Sequence, residues 1–396
     1  MSEWQKVNLG DCCEITSSKR IFFSEYVESG IPFYRSKEII EKGKGEEISH
    51  PLYISKEKYD EIKGKYGVPQ KGDLLLTAVG SLGIPFVVKD DSPFYFKDGN
   101  LVWLKHFQDI DPIFLYYWIK SENGYNALYN IAIGSAQKAL TIAAIKGYEI
   151  PLPPLQTQHR IANILSRYDS LIENYQKQIK LLEEAAQRLY KEWFVNLHFP
   201  GHENTKIVDG VPEGWEKKRL IDLVDVQYGY AFDGKLFNSS GEGMPILRIR
   251  NIPDGITSDY TTEEAQDCYI VHNGDIVVGM DGIFHINSWS GGDAYLVQRA
   301  CSFRPKEECM KGFIFQAIQE PIKFFEKTLV GATVAHLGKK HIDSIELCIP
   351  KNFELYKPFS KFYNQRQGLL SQIRLLTEAR DRLLPKLMSG EINVES

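Results

Sequence analysis

The 396-residue sequence lacks any run of about 18 consecutive apolar residues, so it predicts no membrane-spanning helix. Its first residues, MSEWQKVNLGDCCE, lack the basic and apolar stretches of a secretory signal, and we expect a cytoplasmic location. The six cysteines form no Cys-x-x-Cys pair: Cys12 and Cys13 are adjacent, and Cys301 lies eight residues before Cys309. Reduced thiols are therefore favoured over disulfides or a zinc site.

The sequence also lacks an excess of positive charge, because its formal net charge is −5. A protein that neutralises many nucleic-acid phosphates with its own lysines and arginines is normally basic. If the chain binds nucleic acid, either its basic residues are segregated onto one face or a partner protein supplies much of the backbone contact. Both arrangements remain open at this point.

Motifs of common nucleic-acid enzymes are missing as well. Gly338–Lys340 lacks the spacing and the hydroxyl residue of a phosphate-binding loop. Pro153–Pro154 follows leucine, not the Asn or Asp of a methyltransferase motif, and Pro253–Asp254 is not followed by a nuclease Glu/Asp-x-Lys. His198 and His202 flank a Pro-Gly pair, so they are not a helical metal pair. We expect no catalytic residue, cofactor site or metal site in this chain.

The two halves of the chain carry the same short motifs in the same order. The matched pairs are Trp4 and Trp215, Gly30–Arg35 and Gly243–Arg248, Lys71–Leu76 and Asn273–Val278, Gly80 and Gly282, Gly134–Leu140 and Gly331–Leu337, and Ile179–Ala185 and Ile373–Ala379. The offset between copies is 211 at Trp4 and 213 at Gly30, and it then shrinks to 202, 197 and 194 along the chain. Small insertions in loops produce such a drift, whereas chance matches would not stay collinear. The chain is therefore a tandem duplication.

Each repeated module reads as a mixture of short strands and helices. Runs of β-branched and aromatic residues bounded by turn residues predict the strands, which include Asp73–Thr77, Leu101–Leu104, Ile246–Ile249 and Asp275–Val278. The segment Asp111–Ile119 predicts a helix, because Asp is suited to the cap and Pro to the first turn.

A long helix is predicted from Gln156 to Trp193. Apolar residues recur in steps of four and three over ten positions, without Gly or Pro, which is typical of a coiled-coil seam. The preceding Pro151–Pro154 marks the start of the helix, whose length is roughly 55–60 Å at ~1.5 Å per residue. The seam residues are Ile161, Leu165, Tyr168, Ile172, Tyr175, Ile179, Leu182, Ala186, Leu189 and Trp193.

A second apolar face occupies the last part of the chain, interrupted by Arg366 and Arg380 and ended near Pro385 and Gly390. This face consists of Phe359, Phe362, Leu369, Ile373, Leu376, Leu383 and Leu387. Each helix could pack on its own globular module, but pairing of the two helices explains more of the first seam. Antiparallel pairing would relate the two modules by an approximate two-fold axis.

The expected fold class is α+β: two tandem mixed α/β domains separated by two long antiparallel helices that form a coiled coil. The predicted bounds are 1–155 for the first domain, 156–197 for the central helix, 198–213 for a linker, 214–352 for the second domain and 353–396 for the C-terminal helix. A duplex presents equivalent groove faces about every 34 Å, so two modules held apart by rigid helices would read a split DNA site. Because the modules have diverged, the two half-sites should differ.

Three segments resemble the specificity (S) subunits of type I restriction–modification systems. Pro153–Gln158 is similar to the Pro-Pro-Leu-x-Glu-Gln signature that opens their central helix, with Thr157 in place of Glu. Pro212–Glu216 looks like the start of their second target-recognition domain, and Leu376–Ile392 is similar to their C-terminal conserved helix. The second copy, Ile349–Phe353, has lost the Pro-Pro-Leu signature, so the symmetry is only approximate.

The resemblance implies a non-catalytic DNA-recognition subunit and covers essentially the whole chain. It implies double-stranded DNA, two adenine-N6 methyltransferase subunits and ATP-dependent restriction and translocation subunits as partners. No cofactor is expected in this chain, whereas S-adenosylmethionine, ATP and Mg²⁺ are expected in the partner subunits. Trp193, Phe194 and the tail Leu383–Pro385 are candidates for packing or subunit docking. The exposed faces of the helices could either dock partner subunits or simply be solvated.

Candidate DNA contacts were chosen among polar residues in or beside the loops where the copies diverge. In the first module they are Lys19, Arg20, Tyr34, Arg35, Lys37, Ser81, Gln137 and Lys138. In the second module they are Lys235, Arg248, Arg250, Asn251, His285, Thr333 and His336. Arg248 and Arg250 are the strongest pair, because alternation on a predicted strand would place both on one face. Each candidate could instead be an ordinary solvated residue.

Two other classes of function remain open from sequence alone. One is an enzyme with an unrecognised motif, and the other is a protein-binding scaffold or regulator built from a duplicated domain. Activity of the isolated chain, or the absence of any DNA sequence preference, would favour these alternatives.

Overall fold

The computed structural model describes residues 4–134, 138–329 and 335–394, and it divides into two compact units. The first unit comprises Met1–Glu173 and Leu376–Ser396, and the second comprises Asn174–Leu375. Each long helix therefore contributes one half to each unit.

Within the described ranges, the first unit has ten strands and six α-helices before its long helix. The strands are β1 (Gln5–Asn8), β2 (Glu14–Thr16), β3 (Tyr26–Val27), β4 (Ile31–Tyr34), β5 (Leu52–Ile54), β6 (Leu74–Thr77), β7 (Pro85–Val87), β8 (Tyr95–Phe96), β9 (Leu101–Lys105) and β10 (Glu149–Leu152). The helices are α1 (Leu9–Cys12), α2 (Ser36–Lys44), α3 (Lys56–Tyr66), α4 (Pro112–Lys120), α5 (Glu122–Ile131) and α6 (Ile142–Lys146). A four-stranded antiparallel sheet has the order β2-β9-β6-β7, a second sheet has the order β3-β5-β4-β8, and β1 pairs with β10.

The long helix α7 (Leu155–Tyr190) continues into a π-helical turn, Lys191–Val195. The strands of the second unit are β11 (Ile207–Val208), β12 (Val211–Pro212), β13 (Trp215–Arg219), β14 (Val224–Tyr228), β15 (Phe237–Asn238), β16 (Met244–Leu247), β17 (Tyr260–Thr261), β18 (Ile270–Val271), β19 (Ile276–Gly279), β20 (Ile286–Ser288), β21 (Ala294–Leu296), β22 (Ala300–Pro305) and β23 (Glu346–Pro350). Its helices are α8 (Leu220–Leu223), α9 (Lys311–Ala317), α10 (Gln319–Thr328), α11 (Lys339–Asp343) and α12 (Lys357–Met388).

The second unit repeats the topology of the first. Its sheets have the orders β14-β22-β19-β20 and β15-β17-β16-β21-β18, and β13 pairs with β23. In each second sheet one pair is parallel, β4 with β8 and β16 with β21. The predicted duplication and the mixed α+β class are therefore confirmed. The main difference is that α2 and α3 of the first unit are replaced by short 3-10 turns, and β18 is added.

The central strands β6 and β19 are buried at every position, because both faces of their sheet are covered by other parts of the unit. In β6, Leu74 and Leu76 join a core formed with α4 and α7, whereas Leu75 joins a separate core with Phe96 and Trp103. In β19, likewise, Ile276 and Val278 lie in one core, whereas Val277 lies in another core together with Trp289. Continuous apolar runs in the sequence therefore correspond to strands between two layers.

The repeated Gly-x-Pro segments need glycine because a neighbouring strand passes too close for a side chain. A Cβ atom on Gly30 would lie 2.4 Å from the carbonyl oxygen of Ile54, and one on Gly243 would lie 2.1 Å from that of Thr261. Both contacts occur where the second sheet turns into β4 or β16. Glycine at these two positions thus permits the same sheet in both units.

The start of α7 is fixed by a buried glutamine in the segment that resembles the S-subunit signature. The side chain of Gln158 accepts a hydrogen bond from the backbone N–H of Asp111 at 2.9 Å. It donates to the carbonyls of Asp109 and Pro153 at 3.0 and 2.8 Å. Asp111 also caps α4, as predicted, by accepting from the first backbone N–H groups of that helix. One amide therefore joins the starts of two helices.

The long helices run antiparallel within each unit, as predicted. In the first unit, Arg380 of α12 forms an ion pair with Asp169 of α7 at 2.5 Å, and Arg160 donates to the carbonyl of Val394 at 2.6 Å. In the second unit, Arg366 pairs with Glu183 at 2.6 Å. The two arginines that interrupt the predicted apolar face therefore both pair with α7. The helix ends at Met388, with Pro385 inside its last turn.

Each half-helix also packs on the globular part of its own unit. Ile161 and Leu165 lie in the first core, and Tyr190 contacts the ring of Phe313 at a centroid distance of 5.9 Å. The two arrangements considered from the sequence, pairing of the helices and packing of each helix on its own module, thus occur together.

None of the helices in the described ranges is long and apolar enough to cross a membrane.

The six cysteines are free thiols, and their burial predicts unequal reactivity. Burial raises the pKa of Cys13 to about 12 and also raises the pKa of Cys301, whereas Cys268 is exposed. Because the thiolate is the nucleophile, we expect one thiol to react rapidly with Ellman's reagent at pH 8 and all six to react after denaturation. A Cys268→Ser variant should lose the rapid phase. A rapid phase of unchanged size in that variant would contradict this assignment.

Candidate nucleic-acid interface

The first unit contains a cleft of about 630 Å³ at one edge of its second sheet. Arg20, Arg35, Lys97 and Asn100 supply its polar wall. Parallel pairing of β4 with β8 explains the arrangement, since the carboxyl ends of parallel strands lie at the same edge. Arg35 follows β4 and Lys97 follows β8, so residues 62 positions apart in sequence become neighbours. The exposed rings of Phe22 and Phe23 belong to the same part of the surface.

Arg35 is the N-cap residue of α2, and it is held at this edge by Glu38 in the first turn of that helix. Its backbone N–H donates to Glu38 Oε2 at 2.8 Å, and its guanidinium Nε donates to both carboxylate oxygens at 3.1 Å. Burial alone would raise the pKa of Glu38, but the hydrogen bonds from Arg35 lower it below its ordinary value. Arg20 is held similarly, with Nε donating to Asp98 Oδ2 at 2.9 Å. The cleft therefore presents two oriented guanidinium groups on covered carboxylates.

The other first-unit candidates are distributed over several loops. Lys19 lies over the ring of Tyr66, Lys37 pairs with Glu41 at 3.6 Å, and Ser81 is exposed. Lys138 lies 3.6 Å from the centroid of the Tyr129 ring. Gln137 lies outside the described residues.

The prediction for Tyr34 is wrong. Tyr34 is only 7% exposed, because its ring packs against Phe94 in the core beneath the sheet. Tyr34 is the last residue of β4, and Arg35 follows it. Tyr34 therefore belongs to the core with Leu75, Phe96 and Trp103, and its burial contradicts a direct contact with DNA.

Arg248 occupies the position in the second unit that Arg35 occupies in the first. Each follows the strand that pairs in parallel, and each backbone N–H is bonded to the side chain three residues later, here Asn251 Oδ1 at 2.9 Å. The guanidinium of Arg248 lies over the ring of Phe237, 5.3 Å from its centroid. Among the described residues it has no ion pair.

The prediction that Arg248 and Arg250 alternate on one strand is wrong. The strand β16 ends at Leu247, because the bond from Arg248 to Asn251 begins a 3-10 turn over Ile249–Asn251. Arg250 turns away and forms a bidentate pair with Asp259, with Nη2 to Oδ1 at 2.6 Å. Both arginines belong to the loop after β16, but Arg248 lies over Phe237 whereas Arg250 pairs with Asp259.

A second group of polar residues lies beside the glycine turn after β19. Asp281 accepts from Arg299 Nη1 at 2.8 Å and contacts His336 Nδ1 at 2.6 Å. His285 lies half-buried in the same turn, while Lys235 is exposed on a separate 3-10 turn. Thr333 lies outside the described residues. The structure thus brings His336 and His285 to one turn and leaves Lys235 apart.

Several residues of these surfaces were not predicted from the sequence. Lys97, Asn100 and Arg299 lie in the turn before β9 or β22, which meets the ends of β4 or β16 only through parallel pairing. No sequence motif predicts that parallel pairing. The signal that was available for Arg35 and Arg248 was their shared place in the repeat. Among the described residues, no group of three or more His, Cys, Asp or Glu side chains could hold a metal ion.

The fold and these surfaces define a class: a duplicated α+β module that displays arginines at equivalent sheet edges, with paired half-helices in each unit. The model of the type I restriction modification DNA specificity domain matches residues 1–184 and again residues 212–374. The chain therefore belongs to the type I restriction–modification DNA-specificity family, and it acts as the specificity subunit of such a system.

Known relatives agree in sequence and in fold. The type I restriction enzyme MjaIX specificity subunit of Methanocaldococcus jannaschii is 28% identical over 362 residues, which are 82% of this chain and 78% of that protein. The MjaVIII specificity subunit of the same organism is 26% identical over 422 residues, covering 100% of this chain and 94% of its own length. The crystal structure of an S subunit from M. genitalium superposes with a TM-score of 0.58 at 19% identity, covering 97% and 96% of the two chains.

Proposed function

We propose that each unit reads one half of a split, asymmetric duplex DNA target for a type I restriction–modification complex. The observation that carries this proposal is the equivalence of Arg35 and Arg248 on one repeated sheet edge, in different surroundings. Arginine recognises guanine through two hydrogen bonds in the major groove. A common scaffold with unlike neighbours of the arginine would therefore select unlike half-sites.

The ion pairs at these surfaces explain how a chain of net charge −5 could recognise DNA. Four candidate arginines are held by carboxylates that are more covered than the arginines themselves: Arg20 by Asp98, Arg35 by Glu38, Arg250 by Asp259 and Arg299 by Asp281. A base edge must replace or share these carboxylates, and a wrong base leaves a negative charge facing the duplex. Such an arrangement favours specificity over general affinity for phosphates.

General affinity for the DNA backbone would then come from partner subunits. We propose two adenine-N6 methyltransferase subunits that dock on the long helices, and ATP-dependent restriction subunits recruited to the same complex. S-adenosylmethionine, ATP and Mg²⁺ would bind to those partners, and this chain would be non-catalytic. The absence of recognisable catalytic motifs from the sequence supports this division of roles.

Selection from a random duplex library tests the proposed function. The chain is assayed alone and together with the co-expressed methyltransferase subunits of its own system. We expect the complex to enrich a motif of two unlike halves separated by a constant gap, with weaker retention of DNA by the chain alone. Enrichment of no sequence under either condition would overturn the proposal, and methylation or cleavage by the chain alone would make it an enzyme.

A further inference from the structure

A buried arginine on the long helix α12 of the second unit faces the strand that holds a loop with three predicted DNA contacts, Arg248, Arg250 and Asn251. Arg366 lies on α12 with a side chain that is 9% exposed. Its Nη2 donates to Asn287 Oδ1 at 2.8 Å, and its Nη1 donates to Ser288 Oγ. Its Nε donates to Glu183 Oε1 at 2.6 Å. The guanidinium is planar, and each of its three nitrogens donates to a different side chain. These partners therefore fix its orientation.

Asn287 extends this arrangement to the recognition loop, which we define as residues 248–255. Asn287 Oδ1 accepts from Arg366 and also from the backbone N–H of Ser288, both at 2.8 Å. The amide nitrogen of Asn287 is therefore directed to the loop, where it donates to the carbonyls of Ile252 and Pro253, both at 2.9 Å. These carbonyls directly follow the 3-10 turn Ile249–Asn251. One amide therefore holds the end of the segment that contains Arg248, Arg250 and Asn251.

The first unit has no such polar connection at the corresponding positions. The register of β20 on β19 and of β7 on β6 aligns Asn287 with Phe86, since they face Val277 and Leu75 respectively. The 194-residue offset of the helices aligns Arg366 with Ile172.

The loop after β4 in the first unit is replaced by helix α2, whose backbone satisfies itself through helical hydrogen bonds. The second unit has only a 3-10 turn there. Within that loop the backbone N–H of Gly255 donates to the carbonyls of Asn251 and Ile252 at 3.0 and 3.1 Å. The polar connection through Asn287 thus occurs in the unit whose loop has a single short turn in place of a helix.

We propose that Arg366 is a positioning residue for DNA recognition by the second unit. Through Asn287 it sets the place of the recognition loop, and thereby the direction in which Arg248 approaches a base. Ser288 Oγ, which also accepts a hydrogen bond from Gln367 Nε2, supports the same end of the guanidinium. This inference rests on the proposed function, because it assigns a role within the reading of one half-site.

The Asn287→Asp variant tests the contact with the recognition loop separately from the contact with Arg366. Aspartate keeps the shape and the acceptor for Arg366, but it replaces the donor to Ile252 and Pro253 by an oxygen that repels their carbonyls. We expect discrimination at the half-site read by the second unit to fall by about tenfold or more. Discrimination at the other half-site should be unchanged. The measurement is library selection with the assembled methyltransferase complex.

An Arg366→Lys variant provides an independent test. Lysine retains a positive charge for Glu183 but cannot form the planar fork. We expect the same half-site to become degenerate, and hydrogen exchange of the recognition loop to accelerate while the melting temperature changes little. Arg380→Lys is the matched control on the same helix, because Arg380 pairs with Asp169 in the first unit. It should leave the second unit's half-site unaltered.

The outcomes distinguish the inference from the proposed function. If the wild-type complex selects no two-part motif, the proposed function fails. If it selects such a motif and the folded Asn287→Asp and Arg366→Lys variants keep wild-type discrimination, only the positioning role is overturned. Should Asn287→Asp not fold, unchanged exchange of the loop in Arg366→Lys would by itself overturn the role.

Discussion

Replacing Arg248 by alanine is expected to reduce the discrimination of the second unit's half-site by roughly 5- to 150-fold, which corresponds to about 1–3 kcal/mol for a bidentate arginine–base contact. The physical reason is that Arg248 lies at the edge of the parallel pair β16 and β21 with its guanidinium over Phe237. Alanine removes the fork and leaves no buried partner unpaired. Competition binding of the assembled complex to cognate and single-mismatch duplexes measures the effect.

Arg219→Ala is the matched control for this prediction. Arg219 is also an exposed arginine of the second unit, paired with Asp222 at 3.0 Å at the end of β13. Its removal changes the net charge equally, so a purely electrostatic effect on DNA binding would appear in both variants. Equal losses for Arg248→Ala and Arg219→Ala would contradict the assignment. Arg35→Ala is a less clean test, since it leaves the buried Glu38 carboxylate without its partner.

Gly312→Ala is expected to destabilise the second unit by about 4 kcal/mol or more. A Cβ atom on this residue of α9 would lie 2.1 Å from the carbonyl oxygen and 2.4 Å from the carbonyl carbon of Phe359 on α12. Both atoms are backbone, so the two helices would have to move apart. The buried contacts of Phe313 and Phe359 would be lost with that movement. Urea denaturation with a probe in the second unit measures the change.

Gly368→Ala on α12 is the control for the same substitution. No atom lies within 4 Å of the position where its Cβ would stand. Alanine is favoured over glycine inside a helix by roughly 0.5–1 kcal/mol, so we expect this variant to be as stable as the wild type or slightly more stable. A Gly312→Ala protein whose unfolding free energy is within about 1 kcal/mol of the wild type would show that α9 and α12 can separate without loss.

Much of the architecture was predictable because it depends on periodicity and repetition. The 3.5-residue spacing from Ile161 to Trp193 identified α7, and the collinear motifs identified the duplicated module. The two arginines of the second apolar face looked like interruptions. Only the register of the helices shows that Arg366 and Arg380 meet Glu183 and Asp169. A local pattern indicates which face is buried, but it does not indicate what lies opposite.

The candidate site was only partly predictable. Arg35 and Arg248 were predicted because they lie in or beside the polar loops where the two copies diverge, and the structure puts them at equivalent edges. Tyr34 was chosen from the same segment, although it points to the opposite face. The strand that should have carried Arg248 and Arg250 ends earlier, because a single side-chain cap from Asn251 competes with the sheet.

The sequence by itself determined that this chain is a duplication, with two α+β modules and two long amphipathic helices, since repeated motifs and helical periodicity are local properties. It also indicated the family through short segments that resemble the family's signatures, such as Pro153–Gln158. The tertiary structure decided which polar residues share a surface. Parallel pairing joins Arg35 to Lys97, and Asn287 joins α12 to the recognition loop. These contacts depend on strand order and register, for which the chain carries no local signal.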